Sequence, residues 1–104
     1  MISFEDFKKL DLRVGEVKYV EDLEGADSLY KVIVDIGDEE RQVLAGLKDY
    51  YEKEEIEGKK VVIVVNLEPK VMFGEESQGM ILAAGKKARL LTVDGEAELG
   101  SQVS

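Results

Sequence analysis

The chain has 104 residues, enough for one domain around one continuous core. It has no cysteine and no histidine, which removes disulfides, thiolate ligands and the commonest general base and zinc ligand. Its formal net charge of −9 excludes nucleic-acid binding over the whole surface, because each phosphate contact needs a local cation, so any such site must be local.

In chain order, the first element is a short helix over residues 3–9. Ser3 is a good N-cap, Glu5 and Asp6 occupy the first turn, and Lys8 and Lys9 the last, which suits the helix dipole. From Leu12 the period changes to an alternation of Leu12, Val14, Val17 and Val20 with polar residues. This is strand one, with Gly15 where a long strand coils. Tyr30–Ile36 and Arg41–Ala45 form a hairpin about Gly37-Asp38-Glu39-Glu40. Leu47–Glu57 is predicted to hold one or two helical turns ending at Gly58. Lys60–Val65 is a β-branched run buried on both faces, Gly79–Ala84 is strand five, and Lys87–Val93 is a further strand before a polar tail. This layout is all-β: a five-stranded Greek-key OB-fold barrel with a short N-terminal helix and a short helix between strands three and four. No linker or repeat divides residues 1–104, so a single domain is expected.

Catalysis finds little support. No Gly-x-Ser-x-Gly elbow, Gly-x-Gly-x-x-Gly turn or Walker loop is present, and the acidic groups lack calcium-loop spacing, so no catalytic residue, metal or cofactor is expected. The N-terminus has no basic segment followed by an apolar run, and the longest apolar stretch, Val61 to Val65, is too short to span a bilayer. The expectation is a cytoplasmic protein with no membrane partner.

Several blocks carry a family resemblance. They are Asp11-Leu12-Arg13-Val14-Gly15-Glu16-Val17, Ala26-Asp27-Ser28-Leu29-Tyr30, Val34-Asp35-Ile36-Gly37, Ala45-Gly46-Leu47, Asn66-Leu67-Glu68-Pro69, and Glu76-Ser77-Gln78-Gly79-Met80-Ile81-Leu82-Ala83-Ala84. Over roughly residues 4–93 the chain resembles the tRNA-binding OB domain found at the C-terminus of methionyl-tRNA synthetase, as its beta subunit and as free-standing proteins. The first block is also shared by export-chaperone relatives of similar size. The resemblance implies structure-directed, sequence-tolerant tRNA binding by a non-catalytic module, acting alone or as a cofactor or subunit of an aminoacyl-tRNA synthetase. It also implies a homodimer. The alternative is a chaperone-like or adaptor dimer of the same fold that binds protein. The sequence departs from the family where cations are usual: Ser28, Glu68, Val71 and Phe73 stand there, and only Lys70 keeps a positive charge.

The candidate RNA contacts follow. Arg13, Lys31, Arg41 and Lys70 are the phosphate partners, with Lys31 and Arg41 read as outward-facing on strands two and three. Asn66 either reads a nucleotide edge or closes a strand end by bonding backbone. Phe73 is the candidate for stacking on a base, and Ser77 and Met80 offer a hydroxyl and a soft apolar surface beside it. Phe4, Phe7, Leu90, Leu91 and Val93 are the apolar residues expected at a two-fold interface.

Overall fold

A computed structural model describes residues 1–104 and shows an all-β molecule with two one-turn helices. Strands β1 (Leu12–Asp22), β2 (Tyr30–Asp35) and β3 (Glu40–Ala45) form an antiparallel meander, and β4 (Lys60–Val64) and β7 (Met80–Ile81) extend it in the order β3-β2-β1-β4-β7. Between β4 and β7 lies a hairpin of β5 (Lys70–Met72) and β6 (Glu75–Ser77). A second hairpin, β8 (Ala83–Ala84) and β9 (Arg89–Leu90), follows β7, and β10 (Gln102–Val103) pairs with the start of β1.

Strand β1 serves both halves of the barrel. Its first residues pair with β4 from Leu12↔Val64 to Glu16↔Lys60, and its later ones pair with β2 from Glu16↔Asp35 to Asp22↔Tyr30. The change of partner needs a sharp coil, provided by a bulge between Val17 and Tyr19 and by Gly15 just before it. A Cβ on Gly15 would overlap the Val34 side chain and stand 3.3 Å from the Asp35 carbonyl.

The alternation read from the sequence sorts the side chains as expected. Val17, Val20, Val32, Val34, Val43, Val61 and Ile63 fill the barrel interior. Val62 and Val64 face outward with Leu12, but Phe7, Leu82 and Val103 cover them, so β4 is buried on both faces. Helix α1 (Phe4–Phe7) acts as a lid there, with the Ser3 hydroxyl oxygen accepting from the Asp6 amide.

Four expected elements are shorter in the structure. Helix α1 ends at Phe7, which leaves Lys8 as its C-cap and Lys9 beyond it. Helix α2 spans only Lys53–Ile56, because the backbone before it is tied into the loop: Lys48 N–H donates to the Ser28 carbonyl, and the Tyr51 carbonyl accepts from the Tyr30 hydroxyl at 2.7 Å. Strand five is split at Leu82, whose N–H bonds Val62 on β4 while its carbonyl accepts from Leu91. The strand expected over Lys87–Val93 keeps only Arg89–Leu90 in register with Ala83–Ala84. The β5–β6 hairpin and the return of the tail as β10 were not foreseen. No helix is long and apolar enough to cross a membrane.

Because Gly15 allows β1 to change partners against Val34, Gly15→Ala should destabilise the domain by about 1–3 kcal/mol through overpacking. Urea denaturation measures this, and an unchanged midpoint would show that the coil does not need a glycine.

Candidate nucleic-acid interface

The outer face of β2 and β3, on which OB barrels often bind oligonucleotides, is roofed over in this chain. Leu44 on that face is buried with Leu23 and Ala26 of the β1–β2 loop, and Leu29 and Met72 pack against them. Hairpin β5–β6 lies alongside β3 and is bonded to it. The Leu44 N–H donates to Ser77 Oγ at 3.0 Å, the Gln42 N–H donates to Gln78 Oε1 at 3.0 Å, and the Gln78 N–H donates to the Gln42 carbonyl at 2.7 Å. The Gln42 side-chain amide donates in turn to the Glu76 carbonyl at 2.9 Å. These bonds close the barrel between β3 and the β6–β7 segment.

Residues paired across an antiparallel ladder share a face, and Arg41 is opposite the fully buried Val34. Arg41 therefore lies on the inward phase, at the barrel rim, and the outward placement expected for it is overturned. Its Nη1 donates to the carbonyls of Val65 at 2.7 Å and Gln78 at 3.0 Å, and its Nε meets Glu39 at 2.7 Å. Lys31 does face outward, but its ammonium sits 3.3 Å from Glu75 and 3.4 Å from Glu21. The hydrogen bond to Glu75 leads in raising its pKa.

Arg13 holds both oxygens of Asp11, at 2.6 and 3.0 Å, and reaches the Gly100 carbonyl at 3.4 Å. The hydrogen bond from Arg13 to the Asp11 carboxylate is the main cause that keeps that carboxyl below its ordinary pKa. Asn66 accepts from the Asp11 N–H at 2.8 Å and donates to the Lys9 carbonyl at 2.7 Å, stitching the chain after α1 to the end of β4. Ser77 is the one buried polar residue, accepting from Leu44 and donating to the Gly79 carbonyl at 3.2 Å.

Three candidates remain turned to solvent. Lys70 is exposed and in no ion pair, Phe73 is 57% exposed and Met80 is 47% exposed. Lys70 pairs with Ser77 at the hairpin base and Phe73 is at its tip, about 10 Å away at strand spacing. The tip is a two-residue turn in which Phe73 and Gly74 both have positive φ, 54° and 78°, as a type I′ turn requires. Glycine takes that conformation freely. A phenylalanine there holds strain of about 1–3 kcal/mol, and such strain clusters at ligand-binding segments. The Phe73 ring lies beside Gly25 of the β1–β2 loop, where a Cβ would stand 3.5 Å away. Leu67 and Val71, also exposed, extend this apolar surface and were missed in the sequence for want of any periodic signal. Gln42 and Gln78 were missed as closing residues as well. A shallow cleft of about 280 Å³ under the loop has Glu39 and Glu76 in its walls. No group of acidic side chains is arranged to hold a metal ion.

Residues 12–102 match the family model described as "Putative tRNA binding domain", and the chain belongs to that family. Among curated relatives, it is 55% identical over 104 residues to the methionine–tRNA ligase of Thermococcus kodakarensis and 52% identical over 102 residues to that of Halobacterium salinarum. Each match covers 98% of this chain, but 14% and 15% of the respective ligases. Among solved structures, a MetRS-related protein from Pyrococcus horikoshii superposes with a TM-score of 0.90 at 38% identity, covering 100% of this chain and 98% of the other. A CsaA chaperone protein from Picrophilus torridus gives 0.92 at 35% identity, with both chains fully covered.

Removing the Ser77 hydroxyl leaves the buried Leu44 amide without a partner, so Ser77→Ala should cost about 1–3 kcal/mol. Amide exchange at Leu44 should accelerate while β1–β4 amides change little. Equal acceleration throughout would mean that Ser77 does not close a local seam.

Proposed function

We propose that this member of the tRNA-binding-domain family binds tRNA by shape and phosphate contact, without chemistry of its own, and serves an aminoacyl-tRNA synthetase as an appended module, subunit or cofactor. The observation that carries this reading is the family match over residues 12–102. The identity to a 14% segment of methionine–tRNA ligases supports the link to a synthetase. A cytoplasmic location follows from the same reading.

Docking is assigned to the exposed side of the β5–β6 hairpin, with Lys70 on a phosphate, Phe73 stacked on an unpaired base and Met80 beside them. Base stacking on an aromatic is worth about 1–3 kcal/mol. Lys31, Arg41 and Ser77 act by holding this surface in place, Arg13 and Asn66 by bonding the chain around Asp11, and any RNA contact these five make is added to bonds they already have. The second reading, a protein-binding dimer, draws on the likeness to the CsaA chaperone protein and on the three glutamates, Glu68, Glu75 and Glu76, in the segment that carries Lys70.

The dimer is proposed on the face under α1. Phe4 is 70% exposed there, and Phe4, Phe7, Leu10 and Val103 line one apolar groove. Leu91, bonded to Leu82, continues the apolar surface beside it. Sedimentation at about 10 μM, where a standard-size interface stays associated, should show a dimer, and Phe4→Glu a monomer; a monomeric wild type would sink the proposal.

Titrating total tRNA by gel shift at low salt tests RNA binding. Lys70→Ala should weaken all tRNAs alike and reduce the salt slope by about 0.7–0.9. Glu68→Lys should strengthen binding, whereas Glu55→Lys, distant on α2, should act much less because exposed charges beyond about 10 Å are screened. Equal gains from both would show that the hairpin is not the docking surface, and retention of unfolded protein with no tRNA uptake would favour the second reading.

A further inference from the structure

Half of the cations are already engaged: Lys8, Lys9, Arg13, Lys31, Arg41, Lys48 and Lys53 each pair with a carboxylate. The others are Lys18, Lys59, Lys60, Lys70, Lys86, Lys87 and Arg89, and three of these seven lie within residues 86–89. No acidic residue occurs between Glu76 and Asp94, although the chain has 23 of them. That acid-free stretch is a ribbon of β7, which pairs with β4, followed by β8, the turn and β9. We propose that this ribbon, with Lys86, Lys87 and Arg89 at its far end, is a second docking surface for the phosphate backbone of RNA.

The local structure suits a backbone ligand. Ala83 and Ala84 are exposed and small, so a sugar–phosphate chain can approach the hairpin closely. Lys86 and Lys87 occupy the middle of the turn closed by the Ala88 N–H to the Gly85 carbonyl at 3.2 Å, and both are exposed. The hairpin is anchored to the barrel. Ala88 and Leu90 pack against the core, the Leu90 N–H donates to the Tyr51 hydroxyl oxygen at 3.2 Å, and the Arg89 guanidinium lies 5.2 Å from the centre of the Tyr51 ring. The backbone that carries these cations is therefore anchored, and Arg89 is also seated on the Tyr51 ring, which lowers the entropy lost on binding.

This surface is separate from the β5–β6 hairpin. Met80 pairs with Val64 at the end of β4 from which that hairpin departs, and the Leu82 N–H bonds the Val62 carbonyl further back, so the ribbon runs toward the opposite end. The six residues from Met80 to Lys86 would span at most about 20 Å at strand spacing. An RNA touching both surfaces lies lengthwise along the barrel, a demand on shape rather than sequence.

The inference rests on the tRNA-binding reading, and one set of titrations separates the two. Total tRNA is titrated at several salt concentrations against the wild type, Lys86→Ala/Lys87→Ala, and Lys9→Ala/Lys18→Ala, which removes the same net charge elsewhere. Thermal melting verifies that the exposed substitutions leave the fold intact. The ribbon variant should bind at least about tenfold more weakly at low salt, with a salt slope reduced by about 1.4–1.8 for two lost phosphate contacts. The control should stay near wild type. If the wild type binds tRNA but the ribbon variant matches it in affinity and slope, or the control weakens equally, the second surface is refuted while tRNA binding stands. A wild type that binds no tRNA overturns both.

Discussion

Strand β3 has a full ladder partner on one side only, β2. On its other edge the amides of Gln42 and Leu44 point away from β2, and Leu44 is buried, so water cannot serve its N–H. Backbone groups in that position must find partners or the sheet stays open. Here the partners are the Ser77 hydroxyl and the Gln78 side chain and backbone. Bringing residues 77 and 78 to β3 requires the chain after β4 to cross the barrel mouth, and Arg41 secures the crossing by bonding Val65 and Gln78 from within the rim. The β5–β6 hairpin is the excursion made on the way, and its exposed tip is a consequence of the seam.

Closure also decides which charges are available. Lys31 and Arg41 lie where an oligonucleotide would meet an open OB face, yet one is neutralised by Glu21 and Glu75 and the other is turned into the rim. Opening an existing ion pair to contact a phosphate gains little, since one carboxylate must be released for each phosphate met. The cations outside ion pairs are Lys70 at the hairpin base, Lys86, Lys87 and Arg89 in the ribbon, and Lys18, Lys59 and Lys60 on β1 and at the start of β4. A net charge of −9 opposes an anionic partner over most of the surface, so such a contact is favoured only where free cations gather.

The sequence made the barrel legible because its strands alternate and β4 is β-branched throughout, and both patterns come from burial. The three regions read less well have their conformations set from a distance. Residues 48–51 look helical by composition but are tied to Ser28 and Tyr30. Residues 79–84 form one apolar run, and only the tertiary hand-over at Leu82, from β4 to β9, divides it. Gln102–Val103 become a strand because β1 has an unpaired edge there, and no property of a polar tail announces that. The candidate residues show the same division. Residue type marked Asn66, Ser77, Arg13 and Arg41 as special, and each makes specific bonds, but type alone could not tell a bond to backbone from a bond to RNA.

This division bears on how such a barrel acquires a partner. Among the polar residues of the resemblance blocks, Arg13, Asn66, Ser77 and Gln78 direct their bonds into the protein. Lys70, Phe73, Lys86 and Lys87 face solvent and hold little of the barrel together. Exchanging a solvent-facing lysine for glutamate changes the surface field without breaking a buried hydrogen bond, so its effect on stability stays within about 0.5 kcal/mol. Exchanging Ser77 or Asn66 does break such bonds. Partner choice can therefore change by surface substitution while the seam holds the same barrel, and it follows that a likeness of fold, however close, leaves the partner to be read from the free cations and the exposed ring at the hairpin tip.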